Sequence, residues 1–129
     1  MTNSKTTDVL IIGAGAAGLT AGIYTARANM SPVILAGLQP GGQMTITTDV
    51  ENYPGFAEVI QGPWLMQEMQ SQAENVGARV IYDIVTTVDA SKHPFVLTLD
   101  SGGQMTADAL IVATGAQARW LGLETETSF

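Results

Sequence analysis

Cysteine is absent from the 129 residues, and this absence excludes several kinds of chemistry. The chain cannot contain a disulfide, a thiolate metal site, a cysteine nucleophile or a dithiol redox centre. Any redox chemistry at these residues would therefore need a bound cofactor.

Charge is also scarce, and positive charge most of all. Charged residues make up 13% of the chain, about half of the roughly 25% usual in soluble domains. Five Lys and Arg against twelve Asp and Glu give a formal net charge of −7, and no basic residue lies between Arg27 and Arg79. Because phosphate backbones are bound by basic surfaces, we expect no nucleic-acid partner. So few charges also suggest more apolar surface than the chain can bury alone.

Long apolar runs are missing as well. The longest covers residues 9–19 and contains three glycines, whereas a membrane-spanning helix needs about 20 apolar residues. Asp8 interrupts the resemblance of the N-terminus to a secretory signal. We therefore expect no membrane partner and a cytoplasmic protein.

Side chains for acid–base or metal chemistry are few and scattered. His93 is the only histidine, and it lies between Lys92 and Pro94 in a predicted turn without a nearby nucleophile or acid at ligand spacing. Asp49 and Glu51 have the character of solvated loop acids rather than a catalytic pair. The sequence predicts no catalytic residue and no metal site.

The first 35 residues predict one strand–helix–strand unit. Residues 9–12 form a short aliphatic run typical of a parallel strand buried on both faces. Residues 16–29 are rich in Ala and predict a helix that buries Leu19, Ile23 and Ala26. Residues 33–35 predict the next strand, so the unit is βαβ with a right-handed connection.

A long loop and a second helix follow. Residues 37–62 are rich in Gly and Pro and too long for a simple connection, which is typical of a binding loop. A helix is predicted from Pro63 to Gly77, with Leu65, Met66, Met69, Ala73 and Val76 along one face. Its methionines have the character of core filler.

The last third predicts strands. Residues 79–85 alternate and predict a third strand, and residues 109–113 predict another strand buried on both faces. Between them, residues 86–88, 95–99 and 104–106 predict a small antiparallel meander. The expected fold class is α/β and Rossmann-like: a parallel sheet with helices and an inserted β-meander.

The glycines of residues 13–18 carry the strongest functional signal. Gly13-Ala14-Gly15-Ala16-Ala17-Gly18 matches G-x-G-x-x-G, after a strand and at the start of a helix. Gly13 permits the tight turn, Gly15 lacks the Cβ that would block a pyrophosphate, and Gly18 lets the helix pack on the sheet. Free N–H groups and the positive end of the helix then face the diphosphate. This motif predicts a dinucleotide site.

The end of the second strand departs from the usual fingerprint. An acid normally binds the ribose there, but residues 35–38 read Leu-Ala-Gly-Leu, and no Arg is nearby for a 2′-phosphate. Residues 39–43, Gln-Pro-Gly-Gly-Gln, offer backbone donors and two amides for ribose and diphosphate, or form an ordinary surface turn. The small residues 113–115 allow two interpretations. They lie against a flat ligand or a second domain, or they only end a strand.

Taken together, these patterns form a recognisable set. The chain resembles the N-terminal FAD-binding segment of the bacterial low-molecular-weight thioredoxin reductases over essentially its whole length. The resemblance is carried by residues 13–18, 23–29, 40–43, 47–55, 62–66, 113–116 and 118–123.

The resemblance implies a role for each part of the site. Residues 13–18 would wrap the FAD diphosphate, residues 36–43 would line the adenosine side, and Thr45 and Asn52 would lie near the flavin. The backbone of Val85 would meet adenine, and the family tolerates a non-acidic end of the second strand. The predicted cofactor-binding residues are Gly13, Gly15, Ala16, Ala17, Gly18, Ala36, Gly37, Gln39, Gly41, Gly42, Gln43, Thr45, Asn52, Val85, Ala113, Thr114 and Gly115.

The resemblance also implies what the parent enzyme does. It would be a homodimer that passes hydride from NADPH through FAD to a C-x-x-C dithiol and then to thioredoxin. Residues 1–129 would be the N-terminal segment of its FAD-binding domain, without the NADPH and dithiol domain or the C-terminal part of the FAD domain, and inactive alone. The alternative is a non-catalytic dinucleotide-binding or interaction module, because the sequence shows no nucleophile, base or metal cluster.

Overall fold

Strands and helices alternate in the first half of the chain, and strands dominate the second. A computed structural model describes residues 5–117 and 121–127, so residues 118–120 of the resemblance lie outside it. The strands are β1 (Lys5–Ile12), β2 (Val33–Leu35), β3 (Asp49–Val50), β4 (Ile60–Gln61), β5 (Arg79–Ile81), β6 (Val85–Asp89), β7 (Phe95–Leu99) and β8 (Gln104–Val112). The α-helices are α1 (Ala16–Arg27) and α2 (Gly62–Asn75), and short 3₁₀ helices cover Gly42–Thr45 and Glu124–Thr127. Neither α-helix has the length and apolar character needed to cross a lipid bilayer.

Six strands form one mixed sheet in the order β5-β2-β1-β8-β7-β6. β1 pairs in parallel with β2 on one side and with β8 on the other, and β5 pairs in parallel with β2. β6 and β7 complete the sheet as antiparallel strands. The predicted α/β class, the opening βαβ elements and the meander are therefore confirmed.

The central strand β1 is buried from both sides, as its unbroken aliphatic composition predicts. Successive strand side chains point to opposite faces, so Val9 and Ile11 pack with the helices, whereas Leu10 packs with Leu97 and Leu99 of the meander. Side chains on one face of β1 thus contact the helices, and those on the other face contact side chains of the meander. Burial of one such aliphatic side chain contributes about 1.5–3 kcal/mol.

Small residues let α1 lie close to the sheet. A Cβ on Gly22 would be 2.4 Å from Cδ1 of Ile34, and a Cβ on Gly18 would be 1.9 Å from the carbonyl oxygen of Gly13. Leu19, Ile23 and Ala26 are buried on the same helix, as predicted. The position of the helix over the turn after β1 is therefore set by glycines.

The segment between β2 and α2 is more ordered than its composition indicates. It contains the 3₁₀ helix Gly42–Thr45 and a small hairpin in which Val50 pairs with Ile60. Gly62 packs against this segment, since a Cβ there would lie 2.2 Å from the carbonyl oxygens of Met44 and Thr47. The segment is thus held against the start of α2.

Helix α2 buries Leu65, Met66, Met69 and Ala73 against α1 and the sheet. Val76 was expected on the same face, but it follows the helix and is 37% exposed. That expectation is wrong because the helix ends at Asn75 and the chain turns at Gly77, whose φ is +112°.

The buried methionine of α2 gives a stability prediction. Met69→Leu nearly conserves volume in an apolar site, so we expect the free energy of unfolding to change by less than about 1.5 kcal/mol. Urea denaturation followed by circular dichroism measures the change. A loss well above this limit would contradict a pure packing role for the thioether.

The third meander strand and the last parallel strand are one element, contrary to prediction. Residues 104–107 of β8 pair with β7, while residues 105–112 pair with β1. The predicted strands covered residues 104–106 and 109–113 and left out residues 107–108, but Asp108 is exposed and continues the strand. The meander is therefore a continuation of the main sheet.

The strand predicted over residues 79–85 is shorter in the structure. β5 ends at Ile81, residues 82–84 form a loop, and Val85 begins β6. The carboxylate of Asp83 accepts a hydrogen bond from the N–H of Ile84 at 2.8 Å. Such local bonds compete with a strand ladder, which explains the break within residues 79–85.

The end of β8 is not buried on both faces, and this prediction is also wrong. Val112 is 71% exposed. β7 accompanies β8 only as far as Ala107, and the His93 Nε2 atom lies 2.7 Å from the carbonyl oxygen of Asp108. Along residues 109–112, only β1 among the described strands pairs with β8.

Candidate functional site

An open cleft of about 270 Å³ lies where the parallel strands end. Ligands of open α/β sheets bind at the carboxyl ends of the strands. Four segments meet there: the turn after β1, the turn after β2, the loop before β6 and the segment after β8. The lining residues are Ile12, Gly13, Ala14, Gly15, Leu35, Ala36, Gly37, Leu38, Gln39, Gly42, Gln43, Asp83, Ile84, Val85, Ala113, Thr114, Gly115, Ala116 and Gln117.

Gly13 joins three strand ends in the floor of the cleft. Its N–H donates to the carbonyl of Leu35 at 2.8 Å, and a Cβ would lie 2.0 Å from the carbonyl oxygen of Ala113. Its φ of +113° also favours glycine. Gly13 is therefore required by the turn itself.

Gly15 has a different environment from Gly13. It caps α1 with φ −79° and ψ −169° and makes no side-chain capping bond. A Cβ there would meet only Cα of Gly42, at 3.7 Å, which is ordinary contact. A Cβ would therefore fit at Gly15, so a clash at that atom does not explain the glycine.

The start of α1 provides donors for an anion. The first N–H groups of an α-helix have no intrahelical acceptor and lie at its positive end, and Leu19 is the residue whose N–H bonds to Gly15. No acidic residue occurs in the first turn. Ala16 and Ala17 do not line the cleft.

The Gly-rich loop lies against this turn. The N–H of Gly41 donates to the carbonyl of Ala14 at 2.9 Å, and a Cβ on Gly42 would lie 3.1 Å from Cα of Gly15. The two glycine segments therefore approach backbone to backbone. Gln39 also lines this wall, which favours the binding-loop interpretation over an ordinary surface turn.

Gln43 connects two walls of the cleft. Its side-chain amide donates from Nε2 to the carbonyl of Ala116 at 2.6 Å. This bond joins the Gly-rich loop to the segment after β8, where Ala113, Thr114 and Gly115 line the cleft. The segment after β8 is therefore part of the cleft wall and does more than end a strand.

The opposite wall is formed by residues 36–37 and 83–85. The N–H of Ala36 donates to the carbonyl of Ile81 at 2.9 Å, and the N–H of Gly37 donates to that of Asp83 at 3.0 Å. Val85 lines the cleft on this side. These bonds hold the predicted adenosine side together.

The lining of the cleft contains eight residues that the predicted site did not include: Ile12, Ala14, Leu35, Leu38, Asp83, Ile84, Ala116 and Gln117. Among the lining residues that the structure describes, only Asp83 has an ionisable side chain. Hydrogen bonds from the Ser101 hydroxyl and then from the N–H of Ile84 hold the pKa of Asp83 below its ordinary value. Residues 79–85 were expected to be one strand, which hid the strand end that places Asp83 at the carboxyl edge.

Six predicted site residues do not line the cleft. Gly18 packs against Gly13, and Gly41 faces Thr45 and Met66. The Thr45 hydroxyl donates to the carbonyl of Gly42 at 2.7 Å, so Thr45 stabilises the loop from outside. Those outside the lining are Ala16, Ala17, Gly18, Gly41, Thr45 and Asn52, and Asn52 is exposed.

The described residues of the cleft offer groups that can bind a ligand. Among the described residues, no group of three His, Cys, Asp or Glu side chains could hold a metal ion. Main-chain N–H groups and the amides of three glutamines, Gln39, Gln43 and Gln117, offer neutral donors, and no Lys or Arg occurs among the lining residues that the structure describes. The arrangement can hold an anionic dinucleotide through its backbone.

Residues 7–128 match the sequence profile of the family described as pyridine nucleotide-disulphide oxidoreductase. The thioredoxin reductase of Rickettsia bellii (strain RML369-C) is 58% identical over 124 residues, which are 96% of this chain and 40% of the relative. The thioredoxin reductase of Vibrio cholerae is 50% identical over 129 residues, which are 100% of this chain and 40% of the relative.

Solved structures show the same likeness. A thioredoxin reductase from Giardia duodenalis superposes with a TM-score of 0.87 at 44% identity and covers 97% of this chain. A thioredoxin reductase from T. acidophilum superposes with a TM-score of 0.85 at 31% identity and covers 96%. In both comparisons this chain covers 40% of the other chain. The chain thus spans about 40% of the length of the relatives it matches.

Proposed function

The chain belongs to the pyridine nucleotide-disulphide oxidoreductase family, and from this premise we propose that it is the FAD-binding portion of a thioredoxin-disulfide reductase. The observation that carries this proposal is the environment of Gly15. Its position at the mouth of a helix, with room for a side chain that is not there, is what a diphosphate bound by backbone amides requires. The similarity to thioredoxin reductases supports the flavin assignment.

The cleft fits the adenosine diphosphate half of FAD. Its volume of about 270 Å³ is just below the range of about 300–1,000 Å³ for small-molecule sites. Gly15 and Gly42 would lie along the diphosphate, and Gly37 and Val85 would lie beside the adenosine. Thr45 and Asn52, which we propose for the flavin end, do not line the cleft, so the described walls account for the adenosine diphosphate half alone.

Bound FAD would supply the electron acceptor and donor that the side chains of this chain lack. The residues present would bind and orient it, since the described lining holds no side chain suited to general acid or base work except Asp83, which is already hydrogen-bonded. We propose that the whole protein is a cytoplasmic homodimer that passes electrons from NADPH through FAD to a dithiol and to thioredoxin. The 129 residues contain no cysteine, so we expect them to be inactive alone.

Calorimetric titration with FAD, ADP, FMN and NADPH tests the proposal. Because the described walls fit the adenosine diphosphate half, we expect FAD and ADP to bind at least about tenfold more tightly than FMN. We expect no NADPH-dependent disulfide reduction by this chain. Failure to bind FAD, ADP or FMN would overturn the assignment of the cleft. NADPH-dependent disulfide reduction by the 129 residues would contradict the expectation that they are inactive alone.

A second candidate is a non-catalytic dinucleotide-binding or interaction module. It is favoured by the lining of the cleft, where Asp83 is the only ionisable residue within the part of the chain that the structure describes. Addition of the downstream region separates the two functions. The FAD-binding portion of a reductase should then support NADPH-dependent disulfide reduction, whereas a non-catalytic module should not.

A further inference from the structure

The proposed function assigns no role to the carboxylate of Asp83, which lies on the proposed adenosine side of the cleft. Asp83 lies in the loop between β5 and β6 and lines the cleft beside Gly37 and Val85. Its carbonyl accepts a hydrogen bond from Gly37 at 3.0 Å. The main chain of Asp83 is therefore bonded to the turn after β2, and its side chain can bond a different segment.

The carboxylate binds the turn between β7 and β8. Oδ1 accepts hydrogen bonds from the N–H of Ile84 at 2.8 Å and of Ser101 at 3.4 Å, and Oδ2 accepts one from the Ser101 hydroxyl. Both carboxylate oxygens are thus occupied by protein donors. This arrangement argues for a role in positioning the wall rather than in direct contact with a ligand.

The turn that Asp83 binds is closed independently of it. The N–H of Leu99 donates to Gly103 and that of Gly102 donates to Leu99, both at 2.9 Å, and the N–H of Asp100 donates to the carbonyl of Ile84 at 2.8 Å. Residues 83–84 are therefore joined to a rigid turn by side-chain and main-chain bonds together.

The strand ladder does not secure this wall by itself. Val85 pairs with Leu99, but the register between β6 and β7 shifts between Val85 and Thr87. A bulge of this kind disrupts the ladder locally. The bonds from Asp83 to Ser101 lie at this irregularity, where a side-chain anchor has the most to contribute.

We propose that Asp83 is a positioning residue for adenine selectivity, which acts with Ser101 to hold residues 83–85 in place as the wall against which the base packs. The inference rests on the proposed function, because it assumes that the cleft binds an adenine dinucleotide. It adds a determinant of base recognition that does not touch the ligand.

Titration with ADP and UDP tests the role, because these ligands share ribose and diphosphate and differ in the base. We expect Asp83→Ala and Ser101→Ala each to lower the affinity for ADP about tenfold and to leave that for UDP nearly unchanged. Ser101→Ala removes only the bond from the hydroxyl, whereas Asp83→Ala also removes the bonds from the N–H groups of Ile84 and Ser101. The double variant should therefore lose no more than Asp83→Ala alone. Asp83→Asn keeps an acceptor oxygen and should restore most of the ADP preference.

The chain offers a matched control in the turn between β6 and β7. There the Asp89 carboxylate accepts hydrogen bonds from the N–H and hydroxyl of Ser91, and the Ser91 hydroxyl is the main cause that lowers the pKa of Asp89. This pair does not line the cleft. Asp89→Ala should therefore leave the ADP to UDP affinity ratio at the wild-type value.

The outcomes separate the two proposals. Equal losses for ADP and UDP, or an unchanged ratio, in a folded Ser101→Ala variant would overturn the positioning role alone. Failure of the wild-type chain to bind ADP would overturn the proposed function and this inference with it. If Asp83→Ala unfolds by circular dichroism, the exposed Ser101 carries the test.

Discussion

Gly15→Val is expected to leave the chain folded and to lower its affinity for ADP and FAD about a hundredfold, which corresponds to about 3 kcal/mol. The backbone at Gly15 is extended, with φ −79° and ψ −169°, so a β-branched residue can adopt it. A Cβ meets only Cα of Gly42 at an ordinary 3.7 Å. The remaining methyl groups would occupy the space before the first turn of α1, where the diphosphate is proposed to lie. Calorimetric titration with ADP measures the loss.

Ala90→Val is the control for this substitution. Ala90 is exposed, lies in the turn between β6 and β7 and does not line the cleft. Its variant should bind ADP as tightly as the wild-type chain. A folded Gly15→Val variant with unchanged ADP affinity would show that no diphosphate lies at Gly15.

Much of the opening βαβ unit could be predicted because its signals are local. The aliphatic run of β1, the glycine turn and the Ala-rich helix each follow from neighbouring residues. Gly13 and Gly18 were assigned to the turn and to helix packing, and the distances around both glycines confirm those two roles. The assignment of Gly15 to ligand binding stays a prediction that its open surroundings support.

What could not be predicted depends on contacts between distant segments. Asp108 interrupts the apolar pattern, but pairing with both β1 and β7 makes β8 continuous across it. Asp83 reaches the cleft because it bonds Gly37 and Ser101, which lie far from it in sequence. Neither contact has a local sequence signal, so the wall of residues 36–37 and 83–85 was predicted only through Ala36, Gly37 and Val85.

The exposed end of β8 shows a different limit of sequence reasoning. Residues 109–113 have the apolar composition of a strand covered on both faces. Such a composition reflects how the strand is buried in the assembly in which it evolved. Val112 is 71% exposed here because none of the other described strands covers that edge. An apolar strand with an open edge tends to pair with other chains. The low charge of the chain, 13%, is consistent with such surfaces.

Gly18→Ala is expected to destabilise the chain by about 2–3 kcal/mol, which is the cost typical of overpacking a rigid site. An added Cβ would lie 1.9 Å from the carbonyl oxygen of Gly13. That atom belongs to the backbone of the turn and cannot move aside without displacing β1 or α1. The expected sign is notable, because Gly→Ala inside a helix ordinarily stabilises it by up to about 1 kcal/mol. Urea denaturation measures the difference.

Gly22→Ala separates the clash from the effect of helix propensity, since both glycines lie within α1. An added Cβ at Gly22 would be 2.4 Å from Cδ1 of Ile34, the end of a flexible side chain that can rotate away. The gain in propensity then offsets part of the strain, and we expect a net change within about 1 kcal/mol. If Gly18→Ala were as stable as Gly22→Ala, α1 could not rest on the turn at Gly13. Another contact would then have to set the position of the α1 N-terminus at the cleft, where the diphosphate is proposed to bind.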